Sequence, residues 1–300
     1  MLALRLSNTA LRRVRSLMSL ALPVAFLMLA SGFLAARASG EEWTRTYSIS
    51  GHPKVRISTN DGAVRVYTSD ANQVQLRVEY HGYEMDRTLR IESRQDASGV
   101  ELDARVRGSW GFSWLGSTRS LRIEVHMPRG ADLNVDTGDG SVETEAIEGA
   151  LDIHTGDGHI TVRGAKGFTR LRTGDGSIEG HDLDGTVEAT TGDGHVRLDG
   201  RFEVLNIKTG DGSIDARVNS GSKMASSWNI RTGDGSVDVA LPDGFQAYLD
   251  AQTRDGHVNV SFPIMVEGGI SSAHVQGKLN GGGQTFMIHT GDGSIRLRRT

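Results

Sequence analysis

Seven aspartates, Asp139, Asp157, Asp175, Asp193, Asp211, Asp234 and Asp292, each stand in the phrase Thr-Gly-Asp-Gly-(Ser/His)-(Val/Ile), and the first five are spaced by 18 residues. Two varied copies add Asp61 and Asp255. A repeat that stacks on itself would set these carboxylates in one file. Calcium-binding repeats also use glycine–aspartate turns, which makes a calcium-stabilised rod one reading of the file. The other is structural: like charges about 5 Å apart repel by roughly 0.9 kcal/mol in water, so each carboxylate needs compensation, which the turn's own backbone N–H groups can supply. The calcium repeats carry a nine-residue signature with more glycine in a different order. No metal ligand is therefore assigned, and no cofactor is expected.

Two residues after the aspartate the chain reads Ser141, His159, Ser177, His195 and Ser213, then Ser236, His257 and Ser294. Imidazole beside carboxylate has acid–base and metal chemistry open to it. Histidine copies are never consecutive in the 18-residue run, however, so neighbouring turns supply no His–His pair. The position reads instead as a solvated face on which imidazole offsets the aspartates. Carbohydrate-active enzymes on β-helices need one unique cluster of acids or bases, whereas these acids are spread alike over every copy. A nucleophile elbow, a zinc-binding helix motif and a phosphate loop are all missing, and the Gly-Asp-Gly turns lack the lysine the last requires. The chain is not expected to be an enzyme. Trp110, Phe112 and Trp114, crowded between glycines, are either an anchor for a partner or a cap over an open core.

The elements that place these residues follow from the repeat. Counting from the threonine as zero, position minus two is apolar in all nine copies, from Ile57 through Ile153 to Ile288, and minus four is apolar in all but Thr169. That alternation predicts a short strand ending at the threonine. Position plus five is Val or Ile in every copy, which starts a second strand. The inward stripe runs minus four, minus two, zero and resumes at plus five. A straight strand cannot take that odd step, so the chain turns a corner there. Glycine at plus three is invariant among the copies while plus one accepts Asn60 and Arg254, which predicts positive φ at plus three and an Asx-type turn at the aspartate. The threonine faces inward and can bond within its own coil or to the next.

Two strands and two turns in 18 residues predict an all-β chain, a parallel single-stranded β-helix with coils of about 18 residues. Apolar positions do not recur every six residues, against a hexapeptide helix. The strands are too short and too polar outside for an outer-membrane barrel. Residues 1–38 form the expected export signal: Arg5, Arg12, Arg13 and Arg15 precede an apolar run from Leu17 to Ala36, and Ala36-Arg37-Ala38 is a cleavage site. An uncleaved N-terminal anchor is the alternative, and in that case the only membrane contact. Removing five arginines and no acids takes the formal charge from −4 to −9, which argues against nucleic acid and anionic lipid as partners. With no cysteine, order must come from backbone pairing and a core. Residues 39–128 are the irregular capping part and 129–300 the regular array. The last coil, ending at Arg298-Arg299-Thr300, is expected to have little over it.

Val125-His126-Met127-Pro128-Arg129-Gly130-Ala131-Asp132-Leu133 leads into the first exact turn, Leu241-Pro242-Asp243-Gly244 repeats the phrase, and Gly277-Lys278-Leu279-Asn280-Gly281-Gly282-Gly283 follows near the end. These residues resemble the exported β-strand-repeat proteins called putative adhesins, a domain family of unknown function. The resemblance covers most of the chain beyond residue 38. It implies a β-helix-like fold at the cell envelope, no assigned catalytic residues, and an unidentified partner among envelope proteins, surface proteins or glycans. Periplasm, envelope and extracellular space all remain open.

Overall fold

A computed structural model describes residues 41–107, 119–266 and 271–300. The expected export segment 1–38 and the trio Trp110, Phe112 and Trp114 lie outside the described residues. The described chain is all-β and solenoid-like, with 23 strands in one continuous hydrogen-bonded sheet. Its two walls meet at the Thr-Gly-Asp-Gly corners. Strands such as Glu148–Thr155 and Lys166–Thr173 run up to the threonine on one wall, and Val142–Glu145 and Ile160–Arg163 leave the corner on the other. Alternation along each strand sends the apolar side chains inward, as in Lys54–Thr59 and Ile160–Arg163.

In the middle of the chain the pairing is parallel and in step with the repeat. The threonine wall pairs Glu148 with Lys166 and Lys166 with Asp184, and the second wall pairs Ile160 with Ile178, Ile178 with Val196 and Val196 with Ile214. Each partner lies 18 residues on. The register shifts between Gly180 and Leu183 and between Gly185 and Thr186, where the second strand of one coil runs without a break into the first of the next. Aliphatic side chains fill the interior. The largest fully buried side chain, the aromatic Trp228, stands against Phe202, Phe245 and Phe286 at ring-centroid distances of 6.2, 5.2 and 5.5 Å, and its indole N–H donates to the Glu203 carbonyl at 3.1 Å.

Coils do not follow chain order at either end, which departs from a stack laid down one coil after the next. The coil of Thr59 pairs with that of Thr137 on one side, through Lys54↔Asp132 and Val64↔Val142, and with strands Gly99–Val106 and Ser120–Pro128 on the other. The coil of Thr290, last in sequence, lies between those of Thr232 and Thr253: Phe286 pairs with both Trp228 and Leu249, and Ile295 with both Val237 and Val258. The expectation that this last coil is poorly covered is therefore overturned. Phe286, Ile288, Ile295 and Leu297 are each at most 1% exposed, a burial that requires neighbours on both sides.

Asn280, Gly281 and Gly282 make this insertion possible. All three have positive φ, at 44°, 93° and 87°, and the Asn280 amide donates to the Phe245 carbonyl at 2.9 Å. The turn they form carries the chain over the end of strand Ala247–Thr253. That strand consequently has His274–Leu279 antiparallel on one side and Thr285–Thr290 parallel on the other. Antiparallel pairing also marks the opposite end, where Glu41–Ser48 pairs with Gln73–His81, Gln73–His81 with Ser120–Pro128, and Leu89–Asp96 with Gly99–Val106. At this end the alternation in the sequence marks strands at residues 74–80, 89–92, 100–106 and 121–127, but not at Glu41–Ser48, whose inner face includes a charge.

Candidate interaction surface

The corner threonines are buried and bonded both within and between coils. Thr155 Oγ1 donates to the Gly140 carbonyl of the preceding coil at 3.0 Å and accepts the Gly158 N–H of its own coil at 3.2 Å. Thr173, Thr191, Thr209 and Thr232 repeat both contacts. Both uses foreseen for the hydroxyl are thus made at once. Thr137 is the exception. Its hydroxyl is buried without a partner, because the coil beneath it carries Asn60 in place of glycine and turns at Gly62 with φ +100°.

Positive φ does not explain the invariant glycine at plus three: among these glycines only Gly62 adopts it. The reason is close approach. A Cβ on Gly158, Gly176, Gly194 or Gly212 would overlap the carbonyl oxygen of the plus-three glycine one coil below. At plus one the approach is nearly as tight, a Cβ on Gly156 lying 2.7 Å from Gly138 O. Amide-to-carbonyl bonds at plus one are correspondingly short, 2.5 Å for Gly156 to Gly138 and for Gly233 to Gly210. The two departures from glycine stand at the two ends of the file. Asn60 has no Thr-Gly-Asp-Gly corner beneath it among the described residues, and its side chain pairs in both directions with the Val106 backbone, at 2.7 and 2.8 Å. Arg254 is in the outermost coil, where its N–H to Gly291 O relaxes to 2.9 Å.

Asp139, Asp157, Asp175, Asp193, Asp211 and Asp234 are brought together as one exposed file. Among the described residues none of these six side chains has a hydrogen bond or ion pair. The Asx-type compensation occurs only at Asp61, which accepts its neighbour Gly62 N–H at 2.7 Å. Each interior carboxylate instead leans over the plus-one glycine of the next coil, placing Asp157 Oδ1 and Asp175 Oδ1 where they would lie 3.1 Å from a Cβ on Gly174 and Gly192. At the outer end Arg254 closes the file. Its guanidinium bonds Asp292 and lies 3.5 Å from Asp255, and the bond to Asp292 holds the guanidinium pKa above its usual value. No group of three or more acids and histidines among the described residues is arranged to hold a metal ion.

The serine–histidine alternation is a bonded column. His159 Nδ1 meets Ser177 Oγ at 3.0 Å, and His195 Nδ1 meets Ser213 Oγ at 2.7 Å, while His195 Nε2 lies 3.2 Å from Asp215. Outward columns at two other repeat positions carry ion pairs between coils that the repeat alone did not reveal. Arg65–Glu143 at 3.5 Å, Arg197–Asp215 at 3.7 Å and Arg296–Asp238 at 3.5 Å lie at plus six, and Arg170–Glu188 at 2.8 Å lies at minus three. The signal is present in the sequence as opposite charges at equal repeat positions. The Pro-Arg-Gly-Ala-Asp phrase ends in a corner clasp, in which Asp132 accepts the Ala150 N–H and contacts His52, both at 2.9 Å. Burial pushes that carboxyl up, but the two contacts outweigh it and hold the pKa below the ordinary value.

With this geometry in place the family can be read. The family model described as Toastrack DUF4097 matches residues 52–298. The chain belongs to that family. The Toastrack match takes in every copy of the turn, from Thr59 to Thr290. No curated protein matches the chain. Solved structures similar to this Toastrack domain include a putative cell adhesion protein from Clostridium sporogenes, at 16% identity and TM-score 0.32, covering 87% of this chain and 100% of that one. A putative adhesin from Bacteroides fragilis is similar at 10% identity and TM-score 0.37, covering 86% and 97%. One from Parabacteroides merdae is similar at 11% and 0.38, covering 86% and 96%.

Proposed function

We propose that the chain is a non-enzymatic, exported, adhesin-like or cell-envelope interaction protein that presents its Thr-Gly-Asp-Gly corners to a partner. In this reading the central coils are a parallel β-helix of 18-residue turns, a stiff rack whose geometry is fixed by backbone pairing. The observation that carries the proposal is the exposed file of six aspartates without side-chain partners, set on a ladder of buried threonines. Structural ion pairs are plentiful in the neighbouring columns, yet the corner carboxylates are left out of them. The names of the similar solved proteins agree with a role in adhesion. The reading is tested by displaying the full chain on cells, locating it by fractionation, and comparing attachment with that of a variant carrying Asp157→Asn, Asp175→Asn and Asp193→Asn. Reduced attachment with the same surface level and the same melting temperature supports it; unchanged attachment overturns it.

The same unpartnered carboxylates favour a second reading, a rod stabilised by calcium along the file. A rise in melting temperature with calcium that chelation reverses, and that the triple variant abolishes, would support it. A melting temperature indifferent to both would reject it.

A further inference from the structure

Among the described residues, one end of the stack has no further strand laid over it. The edge strands there are Glu41–Ser48 on one wall and Leu89–Asp96 on the other, each paired with a strand on one side only among the described residues. Strand pairing fixes which of their side chains face the interior. Trp43, Arg45 and Tyr47 stand opposite the buried Val78, Leu76 and Val74, and Ile91 and Ser93 stand opposite Ala104 and Leu102. The two walls therefore converge on a groove of about 700 Å³, floored by Trp43, Tyr47 and Ile91. It is closed at one point by the hydroxyl pair of Tyr47 and Ser93, 2.6 Å apart.

The charges around the groove are uneven in a way that selects a ligand. Its three carboxylates are each already paired with a guanidinium, Glu92 with Arg90, Glu101 with Arg94, and Asp103 with Arg105 at 2.7 Å. These cancel. Arg45 is left, an inward-facing guanidinium between two aromatic rings with no ion pair or hydrogen bond from its side chain among the described residues. A guanidinium offers a planar fork suited to a carboxylate, and flanking aromatic faces suit the apolar faces of sugar rings. The volume lies within the range of small-ligand sites, roughly 300–1,000 Å³.

We propose that this end groove is a binding site for a carboxylate-bearing oligosaccharide, with Arg45 holding the carboxylate and Trp43 and Tyr47 receiving the rings. The site lies apart from the corner file and goes beyond the reading built on it. An inward charge on an edge strand also keeps that edge from pairing with a second copy, and the test must separate the two roles. The purified full chain is titrated calorimetrically with a trimer of galacturonic acid and with the same trimer reduced to the neutral sugar. The acidic trimer is expected to bind about tenfold or more tighter than the neutral one. Arg45→Ala should lose about tenfold or more in affinity, Arg45→Lys should fall between, and Trp43→Ala should weaken both trimers, all with unchanged melting temperatures. The triple corner variant should bind as the parent does, so that failure of the corner reading and failure of this one are told apart. Equal affinity for the two trimers, no binding of either, or an Arg45→Ala chain that dimerises while binding the acid as before would overturn the proposal.

Discussion

Replacing Thr173 by Val keeps the shape of the side chain and deletes its oxygen. In the folded chain that oxygen accepts the Gly176 N–H at 3.2 Å and donates to the Gly158 carbonyl at 2.9 Å, and neither backbone group has another partner among the described residues. Each buried group left unpaired costs about 1–3 kcal/mol. The methyl that replaces the hydroxyl returns about 0.8 kcal/mol. The net expectation is a loss of about 1–5 kcal/mol, or roughly 2–20 °C in melting temperature for a domain of this size. Thr137→Val supplies the control in the same phrase of the same protein. The Thr137 hydroxyl is equally buried but has no partner, so its removal should leave stability unchanged or raise it by up to about 1 kcal/mol. Both variants are measured by urea unfolding, with the slope checked for equality before midpoints are compared. Equal shifts for the two substitutions would refute the claim that the ladder, rather than the mere burial of threonine, stabilises the corner.

The glycines give a second matched pair. Gly176→Ala drives a methyl into the Gly158 carbonyl and should cost about 1–3 kcal/mol, whereas Gly130→Ala meets nothing within 4 Å at a φ that alanine accepts and should stabilise by about 0.4–1 kcal/mol; both are read from urea midpoints. Ending the chain at Asn280 removes the coil that lies between those of Thr232 and Thr253, and limited proteolysis should then cut within 228–280 while sparing the central coils. A fragment that stayed resistant throughout would show that the inserted coil is dispensable. At acid pH, the Asp132 clasp contributes stability that is complete above the unfolded carboxylate value of about 3.9 and is lost as pH falls through the lower folded value. Asp132→Asn should therefore flatten the acid limb of a stability-against-pH curve and leave the neutral region parallel to the parent's.

Much of the architecture was legible because the repeat is a physical ruler. The inward positions, the corner and the parallel step between Glu148 and Lys208 all follow from side-chain alternation and a constant interval. Three things were not legible, each for its own reason. The order of coils at the ends depends on which strands pair, and the sequence of the Thr290 phrase is the same whether it lies outside the Thr253 coil or beneath it. The glycine at plus three was attributed to φ because a one-chain view contains no neighbouring carbonyl, and the contact that excludes a Cβ comes from the coil below. Strand Glu41–Ser48 escaped because Arg45 interrupts an otherwise aromatic inner face, and that same interruption is what distinguishes the end groove. Within the corner phrase, the residues were found correctly and their bonding only in part. The threonines were placed inward, but the aspartates were given backbone partners that, among the exact copies, they do not have.

The corner file ends in a side chain at each tip, Asn60 at one and Arg254 at the other, and this bears on how such a chain changes length over generations. A further Gly-Asp-Gly unit duplicated between Thr155 and Thr209 would meet an upper and a lower neighbour already shaped to receive it, and nothing else need alter. The same unit appended beyond either tip would face a side chain where it requires a bare backbone. Growth is thereby permitted from the interior and barred at the extremities, so relatives should differ in rung number while keeping their two termini.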